Sequence, residues 1–177
     1  MTTSSVATAD TIYGRPGEDE IYGQGGIDPL FGCDDNATMW GGNSADTILG
    51  RDGEDTIDGG SGGDEIYGEG GSDDIFGGDG EDYIEGGDSV DYIEGEGDAD
   101  SIYGNGGNDT ILGNGGRDDL RGGGGNDVLK GNDGRDELYG DGSNDQLFGG
   151  NGDDTLNGGS GSDTCEGGNG NDSKANC

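Results

Sequence analysis

Aspartate recurs in this chain every nine residues. The series is Asp10, Asp19, Asp28, Asp46, Asp55, Asp64, Asp73, Asp82, Asp91, Asp100, Asp109, Asp118, Asp127, Asp136, Asp145, Asp154, Asp163 and Asp172, and of its nineteen slots only residue 37, an alanine, lacks the acid. Carboxylates held in phase can cap turns, work in pairs as acid and base, or ligate a hard cation. Capping is something Asp does well, and for one aspartate it would be explanation enough. Eighteen in phase ask for more. Paired-carboxylate hydrolysis needs a cleft with one carboxyl in an apolar pocket; a repetitive chain provides neither, so no enzyme is expected. The chain has no histidine, which removes the usual base of serine and cysteine catalysis and the commonest transition-metal ligand. Oxygen is the donor on offer, which disfavours zinc and copper. Magnesium keeps its waters and a rigid octahedron, so calcium is the better match.

The rest of the repeat shows what must position these acids. Two residues after each slot but the last comes an apolar residue: Ile12, Ile21, Leu30, Met39, then every ninth position to Leu156 and Cys165. Two residues further on comes a glycine, from Gly14 to Gly167 without exception. The unit reads G-x-x-G-x-D-x-(I/L)-x. Its glycines and Asp make a turn, because glycine supplies positive φ. The triplet around the apolar residue makes a short strand with one side chain in and its neighbours out, and Thr, Tyr and Phe often flank it, as suits a strand. No segment shows helical periodicity. Two units make an 18-residue coil, so an all-β solenoid of about ten coils at ~4.8 Å is expected, a rod near 45 Å long. One inner face would carry Ile12, Leu30, Ile48 and their successors to Leu156; the other would carry Ile21, Met39, Ile57 and theirs to Cys165.

That core is one thin layer, too little to offset the entropy of ordering the chain. Aspartates 18 residues apart would also stack and repel. A divalent cation between successive turns answers both difficulties. Ten turns on one edge and nine on the other make seventeen neighbouring pairs, and a divalent ion in each would match the formal charge of −34. Composition alone would suggest disorder: 47 glycines in 177 residues, and 41 acidic against 7 basic side chains. The strict period overturns that reading, provided the cation is bound. Such a charge repels nucleic acid and anionic lipid. No apolar run approaches the ~18 residues of a spanning helix, so neither nucleic acid nor membrane insertion is expected.

The unit resembles the RTX, or hemolysin-type calcium-binding, nonapeptide G-G-x-G-x-D-x-U-x, a β-helix repeat. Close instances are Gly77-Gly78-Asp79-Gly80-Glu81-Asp82-Tyr83-Ile84-Glu85 and Gly149-Gly150-Asn151-Gly152-Asp153-Asp154-Thr155-Leu156-Asn157. The resemblance implies a right-handed parallel β-roll with multiple calcium ions between turns, ligated by the eighteen aspartates named above and by turn carbonyls. It also implies a secreted, extracellular protein that folds in millimolar calcium. Family members usually carry these repeats beside a toxin, protease, lipase or epimerase domain; here the repeat fills nearly the whole sequence. The expected organisation is a tail at 1–9, the roll at 10–173 and an end segment at 174–177. Departures are Gln24, Glu69, Asn105 and Asp141 at the second position. The fourth repeat, Cys33-Asp34-Asp35-Asn36-Ala37, loses its Asp and its glycines. The turn at Ser5–Asp10 has no glycine, which makes Asp10 a one-sided end ligand.

Outward aromatics recur at the ninth position: Tyr13, Phe31 and Tyr67 on one face, Tyr22, Trp40, Phe76 and Phe148 on the other. Stacking along a sheet explains them; an alternative is an adhesive module that binds extracellular polysaccharide or a cell-surface ligand, with calcium purely structural. An ice-binding threonine array is interrupted by Glu20, Asp74 and Tyr92. Cys165 takes a core slot and Cys177 ends the sequence, so a disulfide capping the C-terminal end is expected, with Lys174–Cys177 leaving the roll to cross it. Cys33 is then odd. Residues 1–9 lack the basic start and apolar core of a signal peptide.

Overall fold

The structure is a computed structural model that describes residues 2–4 and 9–177. Its strands form two ten-stranded sheets, and alternate strands along the chain belong to alternate sheets. The first sheet begins at Thr2–Ser4 and ends at Thr164–Asn169; the second begins at Ile12–Tyr13 and ends at Ser173–Ala175. Every strand pair is parallel, and each residue faces the one 18 positions away, as Ile84 faces Ile66 and Ile102. The chain is therefore an all-β parallel solenoid of 18-residue coils, with no helix among the described residues.

Strand geometry puts successive side chains on opposite sides, and here the inward one is the apolar residue of each repeat. Ile21, Leu30, Met39, Ile48 and their successors through Leu147 are fully buried between the sheets. Because the pleat has period two, a slip of one residue would turn this column outward. The core accepts no alternative register.

Both ends differ from expectation. The sheet reaches into the segment expected as a tail: Thr2, Thr3 and Ser4 pair with Glu20, Ile21 and Tyr22. Pairing uses only backbone groups and needs no turn glycine. Met1 and residues 5–8, where a turn is expected, lie outside the described residues. At the other end the roll does not stop at residue 173. Lys174 keeps register opposite Leu156, and its Nζ donates to Cys165 O at 3.3 Å. Lys174 is exposed, so its long side chain can lie across the core slot with its charge in water.

The Cys165–Cys177 disulfide forms, with Cα atoms 5.7 Å apart. Its path is shorter than expected. Ser173–Ala175 stays in the sheet, and the turn comes at Asn176, whose φ is 51°. Closing this loop stabilises the last coils by about 2–3 kcal/mol. Reduction should therefore speed amide exchange in the coils from Leu147 onward and leave the coils around Ile84 unchanged. Hydrogen exchange with and without reductant checks this; unchanged protection in the last coils would remove the cap from the account.

Candidate metal centre

From Asp28 onward, each in-phase aspartate lies at the end of a glycine-containing turn, just before its strand. The turn is built from left-handed residues at the second and fourth positions. Where these are glycine, φ is positive at, for example, Gly78 and Gly80; the conformation persists at Gln24, Glu69, Asn105 and Asp141, with φ between 68° and 73°, but not at Arg15, Cys33 or Asp35. Those four second-position departures thus strain the turn without changing it.

The two oxygens of each carboxylate have different roles. Oδ1 accepts the backbone N–H of the aspartate one coil earlier. On one edge this chain is unbroken: Asp10 N to Asp28, Asp28 N to Asp46, then Asp64, Asp82, Asp100, Asp118, Asp136, Asp154 and Asp172, at 2.6–3.2 Å. On the other it runs from Ala37 N to Asp55, then through Asp73, Asp91, Asp109, Asp127 and Asp145 to Asp163. Oδ2 has no such partner. From Asp28 and Asp46 to Asp154, Oδ2 of each in-phase aspartate is buried without a hydrogen bond.

These oxygens do not stand alone. A Cβ added to Gly95 would lie 2.3 Å from Asp100 Oδ2 and 3.1 Å from Gly113 O, so a carboxylate and a carbonyl of the next coil converge beside the turn's first glycine. A Cβ on Gly107 would lie 1.5 Å from Ser89 O and 2.7 Å from Asp109 Oδ1. The glycines keep open a space lined by oxygen from two coils. Among the described residues no three acidic, cysteine or histidine side chains gather at one point. A cation between turns would draw on stacked aspartates and on carbonyls, a hard-oxygen set that fits calcium.

Burial acts on these acids as physics requires. Desolvation, then the like charges of Asp82, Asp118 and Asp98, pushes Asp100 up to about 8. Asp82 and Asp91 rise to about 7, and Asp46, Asp73, Asp127, Asp136 and Asp145 to about 6, each chiefly through desolvation. A buried carboxylate without a counter-charge takes a proton.

The ladder weakens at its ends and at one internal point. Asp10 is exposed, while Asp163 and Asp172 are half-buried. Asp19 is buried, and its Oδ2 accepts Arg15 N at 2.6 Å. At Ala37 the carboxylate is missing, and Asp19 N turns instead to Asn36 O at 3.4 Å. Asp35 does not fill the slot: it is exposed, and its Oδ2 takes Gly17 N at 2.8 Å. Sequence reasoning foresaw the stacking but missed the N–H that sits between successive carboxylates. Its only signal was the 18-residue period itself.

The model of the RTX calcium-binding nonapeptide repeat (4 copies) matches residues 7–28, 31–66, 50–84, 67–102, 76–111, 85–120, 112–147 and 139–173. No curated protein matches the chain.

Asp91→Asn keeps an oxygen for Asp73 N and removes only the charge at Oδ2. It should raise the calcium midpoint of folding at least about threefold, since ligand charge sets affinity, whereas Asp10→Asn should change it by less than about twofold, since a coil contacts only its neighbours. Ala37→Asp should lower the midpoint of the first coils, read from Trp40 fluorescence. Equal effects at residues 91 and 10 would refute the ladder.

Acid should act in two directions. The raised carboxyls keep protons in the metal-free fold that the unfolded chain loses near 3.8. Their stabilisation of that fold is complete below about pH 4 and is lost as pH rises through 6 to 8. In chelator, β-structure by far-UV circular dichroism should grow as pH falls from 8 towards 4.5. In calcium, the midpoint should rise over the same range, because protons occupy the same oxygens.

Proposed function

The chain belongs to the RTX calcium-binding nonapeptide repeat family, and from that premise we propose that it is a secreted structural module whose coils are locked by calcium held between stacked aspartates. One observation carries the reading: a row of buried Oδ2 atoms on each edge, none with a hydrogen bond. Bound calcium supplies the positive charge that these rows lack. The aspartates from Asp28 and Asp46 to Asp154 present Oδ2 into the turns, while Oδ1 fixes each side chain against the coil before it. Asp10, Asp163 and Asp172 have an in-phase aspartate on one side only, and Asp19, which faces Ala37, has none. Glycines at the first, second and fourth positions let carbonyls of adjacent coils approach without a Cβ between them.

Folding is then coupled to the ion. Without it, the coil edges hold either repelling charges or protons, and the single apolar column is all that remains. The millimolar calcium outside cells meets that need, which agrees with secretion. The module acts as a structural element and not as an enzyme. The adhesive or carbohydrate-binding alternative is less well supported by the ring geometry. Tyr22 and Trp40 stack at 4.4 Å and 7°, and Tyr13 and Phe31 at 4.8 Å and 11°, so these rings cover one another's faces instead of offering them to a sugar.

Far-UV circular dichroism during a calcium titration at pH 8 tests the proposal. The chain should be largely unfolded in chelator and fold cooperatively near 10⁻⁴–10⁻³ M calcium, roughly the range of extracellular modules, with magnesium much less effective. A β-rich spectrum in excess chelator at this pH would sink it.

A further inference from the structure

The outer face of the second sheet carries an acid beside a tyrosine three times: Glu65–Tyr67, Tyr83–Glu85 and Glu137–Tyr139. In each, the hydroxyl donates to the neighbouring carboxylate, at 2.8, 2.5 and 3.2 Å respectively. The Glu137–Tyr139 copy is occupied by two arginines of the preceding coil. Arg117 Nη2 lies 3.1 Å from Glu137 Oε1, and Arg121 Cζ lies 4.7 Å from the Tyr139 ring centroid. Four coils earlier in the same register, Glu65–Tyr67 has Ala45 and Leu49 where those arginines stand.

The earlier stretch is the larger surface. Tyr67, Tyr83 and Tyr103 follow one another with centroids 6.0 and 5.5 Å apart. Beside them runs a shallow groove lined by Asp64, Glu65, Glu81, Asp82, Tyr83 and Ser101, so two ladder aspartates border it. The side-chain ion pairs found among the described residues, Arg117–Glu137 and Arg121–Asp119, both lie outside it. Glu65 and Glu85 lie on the outer face and are not members of the buried ladder.

We propose that this stretch, centred on Glu65, Tyr67, Tyr83, Glu85 and Tyr103, docks an extended arginine-containing segment of a partner protein. The partner's guanidinium groups sit as Arg117 and Arg121 sit on Glu137–Tyr139. An extended segment presents alternate side chains to one face, and arginine suits the site better than lysine because it pairs with carboxylate and ring through a planar fork.

The probe is a fluorescent synthetic peptide of alternating arginine and serine, measured by anisotropy on the whole chain in excess calcium at physiological ionic strength. Binding is expected. Glu65→Gln with Glu85→Gln should weaken it at least about fivefold, since charge complementarity carries specificity. Asp74→Asn with Glu166→Gln, on the first sheet, should weaken it by less than about twofold. Ala45→Arg with Leu49→Arg should block it, because the chain would then fill its own site. A lysine–serine peptide should bind more weakly. No binding, equal loss in both acid-neutralised variants, or preference for a neutral oligosaccharide would overturn the proposal. The calcium midpoint of each variant, read by circular dichroism, separates these outcomes from a failure of calcium-dependent folding.

Discussion

The constraint on which this molecule turns is the burial of a carboxylate at every coil edge. An ionised acid is costly to bury without hydrogen bonds or a counter-charge. Here half of each carboxylate is satisfied by the chain and half is not. Oδ1 is tied to the amide one coil back, which fixes the side chain and with it the register of the coil. Oδ2, from Asp28 and Asp46 to Asp154, is buried without a hydrogen bond. The glycines follow from the same constraint: a methyl group at Gly95 would take the space in which Asp100 Oδ2 and Gly113 O converge. Stability is thus divided between an apolar column that the chain supplies and an edge charge that it needs from outside.

A solenoid contacts only its neighbours, so defects stay local and can be compensated locally. The lost carboxylate at Ala37 is such a defect. Asp19 N, deprived of it, finds only the longer bond to Asn36 O. The same coils hold both parallel ring stacks, Tyr13 on Phe31 and Tyr22 on Trp40, with Arg51 lying 5.7 Å above Phe31. These parallel stacks lie in the coils where the carboxylate ladder is interrupted. At the C-terminal end Lys174 lies opposite Leu156, and the Cys165–Cys177 disulfide ties down the segment after Ser173–Ala175.

The outer faces obey a separate logic. Their side chains do not enter the core or the ladder, so they are free to vary from coil to coil. Acid, tyrosine and arginine nevertheless meet in one arrangement on the second sheet, with the arginines supplied by the chain in one place and absent in the other.

The nine-residue period determined much by itself. It set the solenoid, the 18-residue coil, the identity of the buried column from Ile21 to Leu156, and the phase of the aspartates. Each of these is a local preference repeated until no other register is consistent with it. Tertiary structure alone decided how the two carboxylate oxygens divide their roles, because the N–H that occupies Oδ1 belongs to another coil. It also decided that Gln24, Glu69, Asn105 and Asp141 adopt the left-handed turn, a cost that neighbouring coils impose. The ends were least legible. Thr2–Ser4 and Lys174 join the sheets against the pattern, because a terminal strand answers to one neighbour instead of two, and the repeat carries no information about the missing one.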